Sequence, residues 1–235
     1  MKYNLFLFDL DDTLLDFKES ERLSFFLALQ SLGLKDNLDT VFKDYQVINS
    51  ALWKEFEAGS ISKDLLKIER FRKTFGSHQI EINPETASAR YLDALPETVV
   101  LIDHSVEICE WLREHGEIGI ITNGIEYVQR KRIQNSKLAP FIGFISVSEA
   151  CGFAKPDVRF FEYTVKMAKS FNKGSTVIIG DRLEADIQGA HNFGISSCWF
   201  NPHKMIGNDI KPTYEISHLS EIKKYFLSEE IISCV

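Results

Sequence analysis

Cysteine is scarce and poorly spaced for covalent or metal bracing. The four residues, Cys109, Cys151, Cys198 and Cys234, are scattered with no CxxC pair among them. That argues against a zinc site or a disulfide framework and for reduced thiols in a cytoplasmic protein. No apolar stretch approaches the roughly 20 residues needed to cross a bilayer. Met1-Lys2-Tyr3-Asn4 leads straight into an apolar segment, without the architecture of a signal peptide. Positive charge is in deficit: 27 Lys and Arg stand against 34 Asp and Glu, a net charge of −7. This balance argues against general binding to nucleic-acid polymers or anionic membranes. Repeats, low-complexity tracts and long linkers are also missing. What remains is an ordinary globular composition, 44% hydrophobic and 26% charged over 235 residues, enough for one large domain or two smaller ones.

The most informative stretch is Leu5-Phe6-Leu7-Phe8-Asp9-Leu10-Asp11-Asp12-Thr13. An apolar run too short and too continuous for an amphipathic helix reads as a buried strand of a parallel sheet. It stops at three carboxylates and a hydroxyl, at the strand end where open α/β sheets bind ligands. Asp9 and Asp11 are one residue apart, so an extended backbone turns both carboxylates to one side. Two anions that close require a cation or a shared proton, and a hard, oxygen-seeking ion suits them. Taken alone, the same acids also fit a polar turn.

After Thr13 the pattern becomes helical. Stripes through Phe25, Leu29 and Leu32, through Val41, Tyr45, Leu52 and Phe56, and through Leu66, Phe71 and Phe75 predict helices ending near Gly33, Gly59 and Gly76; Pro84 opens a fourth. The block 16–94 shows no strand alternation and reads as an all-helical module inserted after the first strand. Its aromatics, Trp53, Phe56, Phe71 and Phe75 among them, read mostly as core, with a minority suited to the roof of a pocket. From Glu97 helices alternate with strands over 118–121, 144–147, 176–179 and 196–200. The expected architecture is therefore α/β: a doubly wound, Rossmann-like parallel sheet formed by 1–15 and 95–235, with an inserted helical cap domain over 16–94. The tail after Ser228, with Ile231 and Ile232, reads equally well as frayed or docked.

Four strand ends bring polar groups to one edge of that sheet: Asp9, Asp11 and Thr13; Thr122 and Asn123; Lys155; and Asp181 with Asp186. A hydroxyl and an amide before a helix start suit phosphate oxygens. Lys155 can hold an anionic substrate and a carboxylate, and Asp181 adds an acid for a metal. Singly, Asn123-Gly124 is a turn, Lys155 a solvated lysine, and Asp181 and Asp186 helix-start acids. Together, in chain order and each beside a strand end, they point to one site.

These residues resemble the motifs of the haloacid dehalogenase superfamily of phosphohydrolases. The matches are a DxDxT turn (Asp9, Asp11, Thr13), a strand ending in Thr122, Lys155, and a GDxxxxD segment (Gly180, Asp181, Asp186). The likeness covers essentially the whole chain, and the insert is similar to the family's first type of cap. Asp16-Phe17, Leu52-Trp53 with Gly59, and Arg70-Phe71 resemble the pyrimidine 5′-nucleotidase subgroup. The resemblance implies that Asp9 is nucleophile and metal ligand, and that Asp11 is acid and base with its carbonyl on the metal. It implies that Thr122, Asn123 and Lys155 bind the substrate phosphate. Asp9, Asp11 and Asp181 would hold Mg2+, with Asp186 reaching the ion through water or holding Lys155. The implied substrate is a small phosphate monoester, foremost a nucleoside 5′-monophosphate. Other readings are a phosphosugar phosphatase or mutase, a metal-independent dehalogenase (for which Asp11 and Asp181 are superfluous), and a non-catalytic module, which would have lost part of the acid set. The insert, tied to the core near Asp16 and near Leu95, is expected to act as a lid. Neither the preferred ester nor the oligomeric state is legible.

Overall fold

A computed structural model describes residues 1–207 and 209–227. Cys234 and the expected docking of Ile231 and Ile232 lie outside the described residues. The chain divides into two compact units, Met1–Phe17 with the chain from Val100 onward, and Lys18–Val99.

In the first unit, β1 (Leu5–Phe8) leads to the junction, where α1 (Phe17–Ser31) begins. The inserted unit continues with α2 (Leu38–Glu57), α3 (Lys63–His78) and α4 (Pro84–Ala94). The first unit then resumes with α5 (Ser105–Arg113), β2 (Glu117–Thr122), α6 (Glu126–Asn135), β3 (Phe144–Val147), the single turn α7 (Ser148–Cys151) and α8 (Val158–Thr164). It ends with β4 (Thr176–Gly180), α9 (Gln188–Phe193), β5 (Ser196–Phe200), β6 (Tyr214–Ile216) and α10 (Ile222–Phe226).

The six strands form one parallel sheet in the order β3-β2-β1-β4-β5-β6. β1 is central: Leu5 to Phe8 pair with Glu117 to Ile120 on one side and with Thr176 to Ile179 on the other. The strand order reverses at β1 and β4, which is where this class of sheet opens a crevice beyond its strand ends. Alternation along β1 explains why the whole run is apolar. Leu5 and Leu7 pack with Ile121, Phe160, Phe161 and Ile178, while Phe6 stacks on Phe226 at 6.1 Å. Fully burying one such side chain stabilises by about 1.5–3 kcal/mol. The two passages of chain beside the insert are paired, Asp16 N–H donating to the Val100 carbonyl (3.0 Å) and Ile102 N–H to that of Leu14 (3.0 Å).

The inserted unit has its own core, in which Phe25, Tyr45, Phe71 and Tyr91 meet at ring separations of 4.7–5.9 Å. Two aromatics expected there are elsewhere. Trp53 and Phe56 are only half-buried and meet edge to face at 5.7 Å, with the Lys63 ammonium over both rings. The unit also extends past the expected residue 94, because the Thr98 hydroxyl bonds back to Ser24 Oγ (2.5 Å) and to the Ser20 carbonyl (3.2 Å). α3 runs through Gly76, whose helical cost of about 1 kcal/mol is tolerable. It stops where Gln79 takes a left-handed φ of 54°. β6, α7 and α10 were not expected: each is five residues or fewer, too short for a periodicity to register.

Candidate active site

β1 ends at Phe8, and Asp9 continues its ladder by one bond, N–H to the Ile179 carbonyl at 2.9 Å. The Asp9 carboxylate sits at the switch point, 6% exposed. Facing it is Lys155, whose Nζ donates to Asp9 Oδ1 (2.5 Å), Asp186 Oδ1 (2.7 Å) and the Ile121 carbonyl (3.0 Å). Lys155 is delivered from the loop after α7. Asn123 fixes it there, its Oδ1 accepting from the Lys155 N–H (2.9 Å) and its Nδ2 donating to the Lys155 carbonyl (3.0 Å). The side chain expected to meet phosphate is thus engaged with the backbone of the site's lysine.

Asp181 follows β4. It accepts from Thr13 Oγ1 at 3.4 Å, and Trp199 Nε1 clamps its carbonyl at 2.8 Å. Asp186, wholly buried, accepts from the Arg182 N–H at 3.1 Å. Its carboxylate occupies the space that a side chain on Gly180 would fill, which explains a glycine at that strand end. Oxygens of Asp9, Asp181 and Asp186 all lie within 4.8 Å of one another.

Three acids around one ammonium are short of positive charge. Burial raises the Asp9 carboxyl well above the ordinary range; Lys155 pulls it down, and Asp186, Asp181 and Asp11 push it up. Asp181 is pushed up to about 7 by burial, then by Asp186 and Asp12, against Lys155. Burial opposes the charge on Lys155, but Asp186 and Asp9 outweigh it and hold the ammonium above its usual range. A cluster of hard oxygen donors, crowded and undercompensated, fits a small divalent cation.

Asp11 differs from expectation. The chain leaves strand geometry after Phe8, Asp12 taking a left-handed φ of 57°, so two-residue alternation no longer sets where side chains point. The Asp11 carboxylate turns to α6, where Arg132 Nη1 and Gln129 Nε2 (2.6 Å) donate to it. Thr122, at the end of β2, is buried and accepts from Gly124 N–H (3.1 Å) and Gln129 Nε2 (3.0 Å), leaving its hydroxyl proton as the group to offer an anion. Gln129 and Arg132 escaped the sequence reading, though a signal existed. The apolar residues Val128 and Ile133 mark the inner face of α6, and Gln129 and Arg132 fall between them on that face.

The signature of haloacid dehalogenase-like hydrolases matches residues 6–200. The chain belongs to that family. Among relatives, the hydrolase is 35% identical over 236 residues to Bacillus subtilis YfnB, a HAD-hydrolase by name, covering 99% of each chain. It is 36% identical over 219 residues to the pyrimidine 5′-nucleotidase PynA of Streptococcus pneumoniae, covering 92% of each. With the pyrimidine 5′-nucleotidase YjjG of Escherichia coli it shares 29% over 228 residues, 95% of this chain and 98% of that one. A crystal structure of YfnB, described as bound to magnesium and as revealing interdomain movement, superposes with a TM-score of 0.89 at 34% identity, over 97% of this chain and all of that one. Among the described residues of the hydrolase, no helix is long and apolar enough to cross a membrane.

Proposed function

We propose that this hydrolase is a Mg2+-dependent phosphatase that transfers the phosphoryl group of a nucleoside 5′-monophosphate to Asp9 and then to water. The observation that carries the reading is the convergence of the Asp9, Asp181 and Asp186 carboxylates at the strand ends, with Lys155 bonded to Asp9 and Asp186. A nucleophilic carboxylate must be ionised, and Lys155 alone leaves that of Asp9 raised. The missing charge is what a divalent ion held by Asp9 and Asp181, with the Asp11 carbonyl, would supply, together with electrostatic stabilisation of the transferring phosphoryl group. Asp186 is already bonded to Lys155, so its place is that of the residue holding the lysine.

In the first step an Asp9 oxygen bonds to phosphorus as the ester P–O bond breaks, and Asp11 gives its proton to the departing alcohol oxygen. In the second, water attacks the aspartyl-phosphate, its proton passes to Asp11, and the P–O bond to Asp9 breaks, restoring both residues. Lys155 and the Thr122 hydroxyl face the phosphoryl oxygens, and Asn123 acts through the lysine it anchors.

The nucleotide is supported by two relatives of this length that are pyrimidine 5′-nucleotidases. The test is turnover of UMP, dUMP, TMP and a panel of sugar phosphates, after EDTA treatment and after Mg2+ is restored. Nucleotides are expected to lead, with activity returning only with the ion. Sugar phosphates ahead by more than about tenfold, roughly 1.4 kcal/mol in barrier, would overturn the nucleotide assignment. Activity on haloacids that survives EDTA would overturn the phosphatase.

A further inference from the structure

We infer that Gln129 and Arg132 are positioning residues that align the Asp11 carboxyl group, which gives its proton to the leaving alcohol and takes one back from water. The inference rests on the reading of Asp11 as acid and base. Its observation is separate: a hydrogen-bonded chain runs from the hydroxyl of Thr122 through Gln129 to Asp11 and Arg132. Gln129 Nε2 reaches both Thr122 Oγ1 (3.0 Å) and Asp11 Oδ2 (2.6 Å), and Gln129 Oε1 accepts from Arg132 Nη1 (2.9 Å), which also donates to Asp11 Oδ1. Two oxygens of one carboxylate held by two side chains leave it little rotational freedom, and they tie it to the group that would bind the substrate phosphate. Gly124 contributes by omission, since a side chain there would collide with the Gln129 amide.

Arg132 is fully buried, beside the Phe17 ring at 5.3 Å, and its Nε and Nη2 find no partner among the described residues. Its ion-pair partner there is Asp11. Taking an arginine wholly out of water to pair with a partly exposed carboxylate rarely outperforms a well-packed apolar replacement in stability, so stability alone does not account for an arginine here. Holding a reacting carboxylate does. The proton that Asp11 gives up also leaves a negative charge that Arg132 already faces.

General acid assistance matters for a poor leaving group such as a nucleoside and little for p-nitrophenolate. The test compares kcat/KM, which reads the steps up to alcohol departure, for UMP and for p-nitrophenyl phosphate with Mg2+ in Gln129→Leu, Arg132→Met, Arg132→Lys and Asp11→Asn. Since a positioned acid contributes about 10²–10⁴-fold, Gln129→Leu and Arg132→Met are expected to lose at least about 30-fold on UMP and under about threefold on the aryl ester, through kcat rather than KM. Arg132→Lys, which keeps the charge, should regain part of the loss. If Arg132→Met fails to fold, Gln129→Leu carries the test. Equal losses on both esters, or a leaving-group split in Asp11→Asn with none in Gln129→Leu and Arg132→Lys, would overturn the inference while the function stands. No split in Asp11→Asn would overturn both the inference and the role of Asp11.

Discussion

Removing one acid from the site should make the metal-free protein more stable while abolishing its use of the ion. Asp181 offers the cleanest case, because its carboxyl moves from an ordinary 3.8 to about 7, first through burial and then through Asp186 and Asp12. A group whose folded value lies above its unfolded one binds more protons in the native state between the two values. Stability therefore falls as pH rises through that window. At about pH 8 the cost of the ionised Asp181 has a ceiling of about 4 kcal/mol, and at about pH 5 it is under about 2 kcal/mol. Asp181→Asn removes the charge and keeps an acceptor for the Thr13 hydroxyl. Each kcal/mol shifts Tm by about 2–4 °C in a protein of this size, so in EDTA the variant should melt several degrees above wild type near pH 8. The gap should shrink toward pH 5. Adding Mg2+ at about 100 times its Kd should stabilise wild type by about 2.7 kcal/mol and leave Asp181→Asn almost unmoved. Melting curves in EDTA across that pH range, then with Mg2+, decide the matter. An Asp181→Asn protein less stable than wild type at pH 8, or a gap that does not change with pH, would refute the crowding argument.

Other substitutions probe the same site from different sides. Lys155→Met leaves Asp9 and Asp186 buried without their cation, so chemical denaturation of the metal-free protein should show a loss of about 3–5 kcal/mol. Asn123→Ala removes two bonds to the Lys155 backbone and should cost about 1–3 kcal/mol by the same assay, with a fall in kcat. Cys109, whose thiol burial pushes up to about 12, and the buried Cys198 should stay unlabelled by thiol reagents in the native protein and react only on unfolding, as peptide mapping would show.

The strands were legible because β1, β2 and β4 are buried on both faces and carry unbroken apolar runs, a pattern set by composition alone. Asp9 and Asp181 are legible because each follows the end of such a run, whereas Lys155 and Asp186 lie further along the segments that follow β3 and β4; the fold brings the four side chains together. Strand alternation does not extend as far as Asp11: the left-handed turn at Asp12 sends the Asp11 side chain to another helix. Gln129 and Arg132 were invisible for a related reason. A polar pair on the inner face of α6 gains meaning only when a carboxylate from a distant segment is seen opposite it. Phe56 sits in a helical stripe and Trp53 beside it, yet that face is wider than the surface it buries.

As the nucleophile, Asp9 must carry the phosphoryl group during turnover. Rapid acid quench of the enzyme during turnover of radiolabelled UMP with Mg2+, followed by peptide mapping, tests it directly. A hydroxylamine-labile phosphoryl group is expected on the peptide carrying Asp9. Asp9→Asn should show no label and turn over at least about 10³-fold more slowly. Label on any other residue, or full activity in Asp9→Asn, would contradict that role.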